Sequence, residues 1–246
     1  MSSPIIIIPA RMASTRLPGK ILADIGGLPM IIHVLRRAQE ADLGPVAVAC
    51  AEQNVAELVR AAGGMAVLTD PGLPSGSDRI AAALTQIDPA GRHDMVVNLQ
   101  GDLPLIDPLM LTSLVAALAE ADFDIATLVA PITSDEERAA SSVVKAVCAF
   151  PTGATVAPAL YFSRAAVPWG DGPLFHHIGV YAYRRAALQR FVGLAESALE
   201  RREKLEQLRA LEAGMRIACA LVDHAPFGID TQADLERARQ TWKARQ

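Results

Sequence analysis

Apolar residues recur along this chain in two alternating rhythms. Short runs rich in Ile, Val and Ala occupy residues 4–9, 46–50, 65–68 and 95–99. Such near-continuous apolar runs suit strands buried on both faces. Between them, residues 30–41, 55–62, 78–87 and 108–120 carry the spacing of helices that bury one stripe. This βαβα order predicts an α/β fold, with a mainly parallel sheet covered by helices on both faces. Asp107 before Pro108 marks a helix start, because the carboxylate caps a free N–H and proline sits where it has no bond to lose.

The second half departs from simple alternation. Strands are expected at 125–129, 143–150, 157–162, 178–183 and 217–221, with a charged helix over 200–213 and a final helix from Asp234 onward. A Pro/Gly-rich stretch at 168–173 interrupts them, so a small β-rich inserted subregion is expected over about 155–185 within a single domain of 246 residues. In open α/β sheets ligands bind beyond the carboxyl ends of the strands. The residues after Pro9, Cys50, Leu99 and Gly228 are therefore the places to seek chemistry.

Composition narrows the classes. The chain is 51% apolar and 20% charged, which fits a folded domain, and only 4% aromatic, so its core must be aliphatic. A net charge of -4 argues against a broad basic surface for nucleic acid. The run 5–8 is far too short to span a bilayer, and a cytoplasmic protein is expected. Cys50, Cys148 and Cys219 stand apart in apolar contexts and read as buried thiols rather than zinc ligands. His176 and His177 are neighbours on a strand, so they point to opposite faces and make a poor metal pair.

Four segments carry candidate chemistry. After the first strand, Ala10 and Arg11 lead into Ser14-Thr15-Arg16-Leu17-Pro18-Gly19-Lys20, a cationic loop suited to a polyphosphate. It lacks the glycine spacing of a Walker A loop; by charge alone a solvated basic loop is the favoured reading, and the position after the first parallel strand reverses that preference. Ser75-Gly76-Ser77-Asp78-Arg79 reads as a turn into a helix, with Ser77 a candidate cap. Gln100-Gly101-Asp102 follows the 95–99 strand, and a lone aspartate there suits either a turn or magnesium, which needs only one or two carboxylates. Thr231 and Asp234 have capping-box spacing, which leaves Asp230 outside the cap.

These segments, in this order, resemble the cytidylyltransferases that make CMP-activated sugar acids, and within them the branch acting on the eight-carbon acid 3-deoxy-manno-octulosonate (Kdo). The resemblance implies a Rossmann-like fold of the nucleotide-diphospho-sugar transferase type. It implies CTP contacts from Ala10, Arg11, Lys20, Ser75, Gly76, Ser77, Arg79 and Gln100, with Arg79 reading the pyrimidine or bracing the loop that does. Magnesium would be held by Asp102 and Asp230, and Arg11, Lys20, Asp102 and Asp230 would carry catalysis.

Three further segments resemble the sugar-binding half: residues 159–169, residues 177–184, and Leu205-Glu206-Gln207-Leu208-Arg209. They imply that Arg164 pairs with the sugar carboxylate, and that Gln100, His177, Tyr181, Glu206 and Gln207 contact the sugar. His177 and Tyr181 share one strand face; by residue type alone they read more readily as core residues than as ligand contacts, and Glu206 with Arg209 could simply be a surface pair. The sequence departs from the family where Leu103 replaces a usual glutamate and where Cys50-Ala51-Glu52 replaces a Thr-Asp pattern.

The resemblance further implies a cytoplasmic homodimer, joined through the inserted strands, that makes a lipopolysaccharide precursor. Its partners would be CTP and Kdo, with neither nucleic acid nor membrane. Rival readings are a cytidylyltransferase for sialic acid or amino-substituted Kdo, a catalytically silent nucleotide-binding protein, and a glycosyltransferase. The last would normally carry a DxD motif, which the sequence around Asp102 lacks.

Overall fold

Ile5, Ile6, Ile7 and Ile8 are all buried, as a run with no polar face requires, and they form the middle of strand β1 (Pro4–Ala10). The computed structural model describes residues 3–14, 16–120 and 122–244. These residues divide into two compact units, one comprising the chain up to Leu111 with its return from Pro226, the other Thr112–Ala225.

Along the first unit, β1 leads through a single 3-10 turn, Lys20–Leu22, into a short hairpin of β2 (Asp24–Ile25) and β3 (Leu28–Pro29). Then follow α1 (Met30–Glu40), β4 (Val46–Cys50), α2 (Gln53–Ala61), β5 (Met65–Leu68), α3 (Gly76–Ile87), β6 (Met95–Asn98) and α4 (Pro108–Ala119), within which the chain leaves the unit. β1 pairs in parallel with β4 on one side and β6 on the other, and β4 pairs in parallel with β5. The expected parallel sheet is present, and β4 and β5 have the bounds read from the apolar pattern. α4 begins where Asp107 predicts, its carboxylate accepting the Leu109 N–H at 2.9 Å.

The second unit holds β7 (Ile125–Pro131), α5 (Asp135–Ala139), β8 (Lys145–Cys148), β9 (Val156–Ser163), β10 (Phe175–Arg184), α6 (Arg185–Val192), α7 (Ala198–Glu203), α8 (Leu208–Glu212) and β11 (Ile217–Leu221). β7 lies between antiparallel β10 and parallel β11; β11 pairs antiparallel with β9, and β9 with β8. Lys145 and Ala146 of β8 also pair with His176 and Phe175 of β10, so the ladder closes on itself. β9, β10 and the segment between them occupy the stretch 155–185. The helix expected over 200–213 is two helices instead, broken at Lys204, whose φ of 58° is left-handed. α5 and α6 were not apparent in the sequence.

The chain then rejoins the first unit, where α9 (Gln232–Lys243) starts with the expected capping box of Thr231 and Asp234. Its Trp242 lies edge-on to His33, with ring centroids 4.3 Å apart. The same indole closes over Gly26, where an added Cβ would come within 2.3 Å of it and where φ is +61°; glycine is needed there on both counts.

Candidate active site

The cationic loop leaves β1 at Ala10, whose carbonyl accepts the Ala51 N–H, and turns back where the Gly19 N–H reaches the Met12 carbonyl at 3.2 Å. Gly19 has φ +68°, the left-handed conformation that glycine adopts without steric cost. Glu52 fastens the outer end of the loop by accepting the Met12 N–H at 2.9 Å. The departure at Cys50-Ala51-Glu52 thus retains an acidic residue with a structural task. Thr15 of the loop lies outside the described residues.

Lys20 follows at the head of the 3-10 turn and spends its three ammonium hydrogens on one cluster. It bonds Asp102 Oδ2 at 2.8 Å, Asp230 Oδ1 at 2.9 Å and the Ile229 carbonyl at 3.2 Å. Burial pulls its pKa down, but the two carboxylates more than offset that, and the net shift is upward. Arg16 reaches the other oxygen of Asp230 at 2.9 Å from an exposed position. Asp230 is indeed free of the helix cap next to it: Asp234 provides the cap carboxylate, while the Asp230 side chain turns to the cations.

Two carboxylate oxygens therefore converge on one cationic point. Magnesium takes hard oxygen ligands, completing its shell from water and phosphate, so this pair fits it. No cluster of three or more acidic, histidine or cysteine side chains occurs among the described residues, and such a cluster is not required. Leu103, in place of the family's glutamate, is buried and packs against Gly228, its Cδ2 at 3.6 Å from where a Cβ there would sit.

At the start of α3 the structure corrects the expected cap. Ser75, not Ser77, precedes the first helical residue and accepts the Asp78 N–H at 3.1 Å. Ser77 is the second residue of the helix and is buried, because the helix begins at Gly76 and not at Asp78. Arg79 is also buried and bonds Thr69 Oγ1 at 2.6 Å and the Asp70 carbonyl at 3.2 Å. It braces the loop after β5. Gln100 is oriented by buried Asn98, whose side-chain oxygen accepts its amide at 3.1 Å.

These groups surround a cavity of about 270 Å³ whose wall includes Ala10, Arg11, Lys20, Ser75, Gly76, Arg79, Gln100, Asp102 and Asp230. Of the residues expected to contact nucleotide or metal, Ser77 is absent from that wall. A cleft whose wall carries Arg11, Arg79 and, bonded to the carboxylate pair, Lys20 can hold a triphosphate with a divalent ion. Glu52 and Asn98 were missed in the sequence. Each acts through another residue, and only their position at a strand end hinted at a role.

The expected sugar contacts all lie in the second unit except Gln100. Arg164 spends its guanidinium on the carbonyls of Glu203 at 2.8 Å, Ser141 at 3.0 Å and Lys204 at 3.3 Å. It secures the turn between α7 and α8, the turn that carries Glu206 and Gln207. The Gln207 side-chain nitrogen is buried with no hydrogen-bond partner among the described residues. Arg209 does not act as a simple surface partner of Glu206: it grips buried Glu200 through two nitrogens, one at 2.8 Å, and lies over the Phe191 ring.

His177 and Tyr181 come together as expected, ring centroids 5.6 Å apart, with Phe162 edge-on to the histidine at 4.8 Å. Burial, with a smaller contribution from His176, pushes His177 down to about 3. Burial likewise pushes the Tyr181 hydroxyl well above its ordinary value. His176 faces away and sits 3.8 Å from Glu137, so the two histidines do diverge.

Residues 5–217 match the family model for cytidylyltransferases. A 3-deoxy-manno-octulosonate cytidylyltransferase of Rhodospirillum centenum is 63% identical over 96% of this chain and 92% of its own length. One from Paramagnetospirillum magneticum is 61% identical over 98% of both. Among solved structures, a CMP-2-keto-3-deoxy-manno-octonic acid synthetase complexed with CTP superposes with a TM-score of 0.90 at 38% identity, covering 100% of each chain.

Proposed function

The chain belongs to the cytidylyltransferase family, and on that premise we propose that it converts CTP and Kdo to CMP-Kdo and diphosphate. Whole-length identity to relatives named for that reaction carries the reading. The cavity agrees with it, since its wall joins phosphate-binding cations to a pair of carboxylates.

In the reaction, the C2 hydroxyl oxygen of Kdo forms a bond to the α-phosphorus of CTP as the bond to the β-phosphate oxygen breaks. Transfers of this kind depend on positioning and charge stabilisation more than on covalent catalysis. Arg11 and Lys20 bind the triphosphate, and Lys20, kept protonated by its acidic neighbours, offsets the charge that builds on departing diphosphate. Ser75 and Gly76 present the start of α3 to the nucleotide, with Arg79 bracing the adjoining loop. Asp102 and Asp230 would hold magnesium, which when bound neutralises phosphate charge and acidifies the attacking hydroxyl. His177, Tyr181, Glu206 and Gln207 are assigned to the sugar acid, with Arg164 securing the turn that carries the last two.

The reading extends to a cytoplasmic homodimer that makes a lipopolysaccharide precursor. No helix among the described residues is long and apolar enough to cross a membrane. Leu160 and Trp169, within the 155–185 stretch, are 64% and 99% exposed; apolar side chains so placed support a dimer contact there.

The test is diphosphate release from CTP with magnesium, with and without Kdo, by the wild type and by Asp102→Asn. Kdo-dependent release that the variant loses is expected. Release with sialic acid or amino-substituted Kdo but not with Kdo would reassign the sugar, and CTP binding with no turnover of any sugar acid would leave only a nucleotide-binding protein.

A further inference from the structure

Thr127 lies on β7 opposite the point where the pairing with β10 slips. Ile178 stands opposite Leu128, yet the residue opposite Thr127 is Tyr181. The slip turns two carbonyls toward one hydroxyl. Thr127 Oγ1 is 3.0 Å from the Ile178 oxygen, 2.9 Å from the Val180 oxygen and 3.0 Å from His177 Nε2, and the residue is fully buried.

A hydroxyl has one hydrogen to give and two lone pairs to offer. Carbonyl oxygens only accept, so that hydrogen belongs to the bulge carbonyls. A lone pair is then what faces the imidazole, and Nε2 completes the bond only by carrying a hydrogen and donating it. We propose that Thr127 is a positioning residue for the sugar-acid subsite: it fixes His177 as the neutral Nε2–H tautomer, leaving Nδ1 as a bare acceptor for a donor hydroxyl of the polyol.

Three observations agree. Among the described residues no hydrogen bond is made at Nδ1. Phe162 and Tyr181 both pack against the ring, with centroids at 4.8 and 5.6 Å. Burial keeps the ring uncharged, so it has no second hydrogen to offer. A bare lone pair attracts a hydroxyl and repels a carboxylate, so this position recognises the polyol chain of the sugar acid and leaves its acid group to other residues. The inference rests on the reading that His177 faces the sugar acid.

Nitrogen-15 spectra of histidine-labelled protein test the tautomer directly, with His177→Gln identifying the signal. A protonated Nε2 and a bare Nδ1 are expected in the wild type and in Thr127→Ser, and a mixture of tautomers in Thr127→Val. In turnover assays Thr127→Val should raise the KM for Kdo by about tenfold, the scale of one lost hydrogen bond, with the KM for CTP unchanged and Thr127→Ser restoring the wild-type value. An Nδ1–H signal in the wild type overturns the proposal, as does a folded Thr127→Val with unaltered KM for Kdo. If Thr127→Val does not fold, the wild-type spectrum alone decides. If no sugar acid is turned over, the functional reading falls while the spectrum still decides the tautomer.

Discussion

Acidification should destabilise this protein through His177, by an amount the structure sets. In the folded chain burial holds the ring near 3, against 6.5 for an unperturbed histidine. Between those values the unfolded chain binds a proton that the folded chain refuses, so stability is full above the unfolded value and declines as pH falls below it. Integrating over that difference, the folded state loses about 2 kcal/mol between about pH 8 and about pH 5 from this group alone. His33 and His176 are also shifted downward by burial, so the wild-type slope contains their shares too. Comparison with His177→Gln removes them: its amide can still donate to Thr127, and it does not titrate. Urea unfolding at both pH values, extrapolated to water, should show the wild type losing about 2 kcal/mol more than the variant. Equal losses would refute the reasoning, since the His177 site would then admit a proton as readily as water does.

Ser75→Ala should lower stability by about 1 kcal/mol in the same urea assay, because the Asp78 N–H loses its cap; Ser77→Ala, which removes no cap, gives no such loss from that source. Glu200→Leu should cost about 3 kcal/mol by leaving the half-buried Arg209 guanidinium without its carboxylate, and Glu200→Leu/Arg209→Leu should cost less than that single change. A double variant less stable than the single one would show that the ion pair itself is not the source of the loss.

Legibility in the sequence followed local pattern. β4 and β5 were bounded correctly because each apolar run is enclosed by turns, and the loops after strands led to Lys20, Asp102 and Asp230 because an α/β sheet gathers ligands at those ends. The break at Lys204 could not be read: lysine has no preference for the left-handed conformation, and the turn is held by Arg164, 40 positions away in sequence, through a carbonyl bond. α6 was missed for a related reason. It begins at Arg185 without a side-chain cap, so nothing local announces it, and it is packing of Leu188 and Phe191 that pins it. Glu52 and Thr127 were missed because their work is done on partners 40 and 50 positions away. Spacing along a chain reports local partners well and distant ones poorly.

Asp230 stands 210 positions after the lysine that it neutralises, and the helix that follows closes Trp242 over Gly26 near the start. Chains fold domain by domain as they emerge from the ribosome, N-terminal parts first. The cationic loop and Asp102 are therefore synthesised long before the second carboxylate. A nascent chain holds the cationic loop but only one of the two carboxylates that neutralise Lys20 until translation has passed through the whole second unit, so the wall of the cavity is completed late in synthesis.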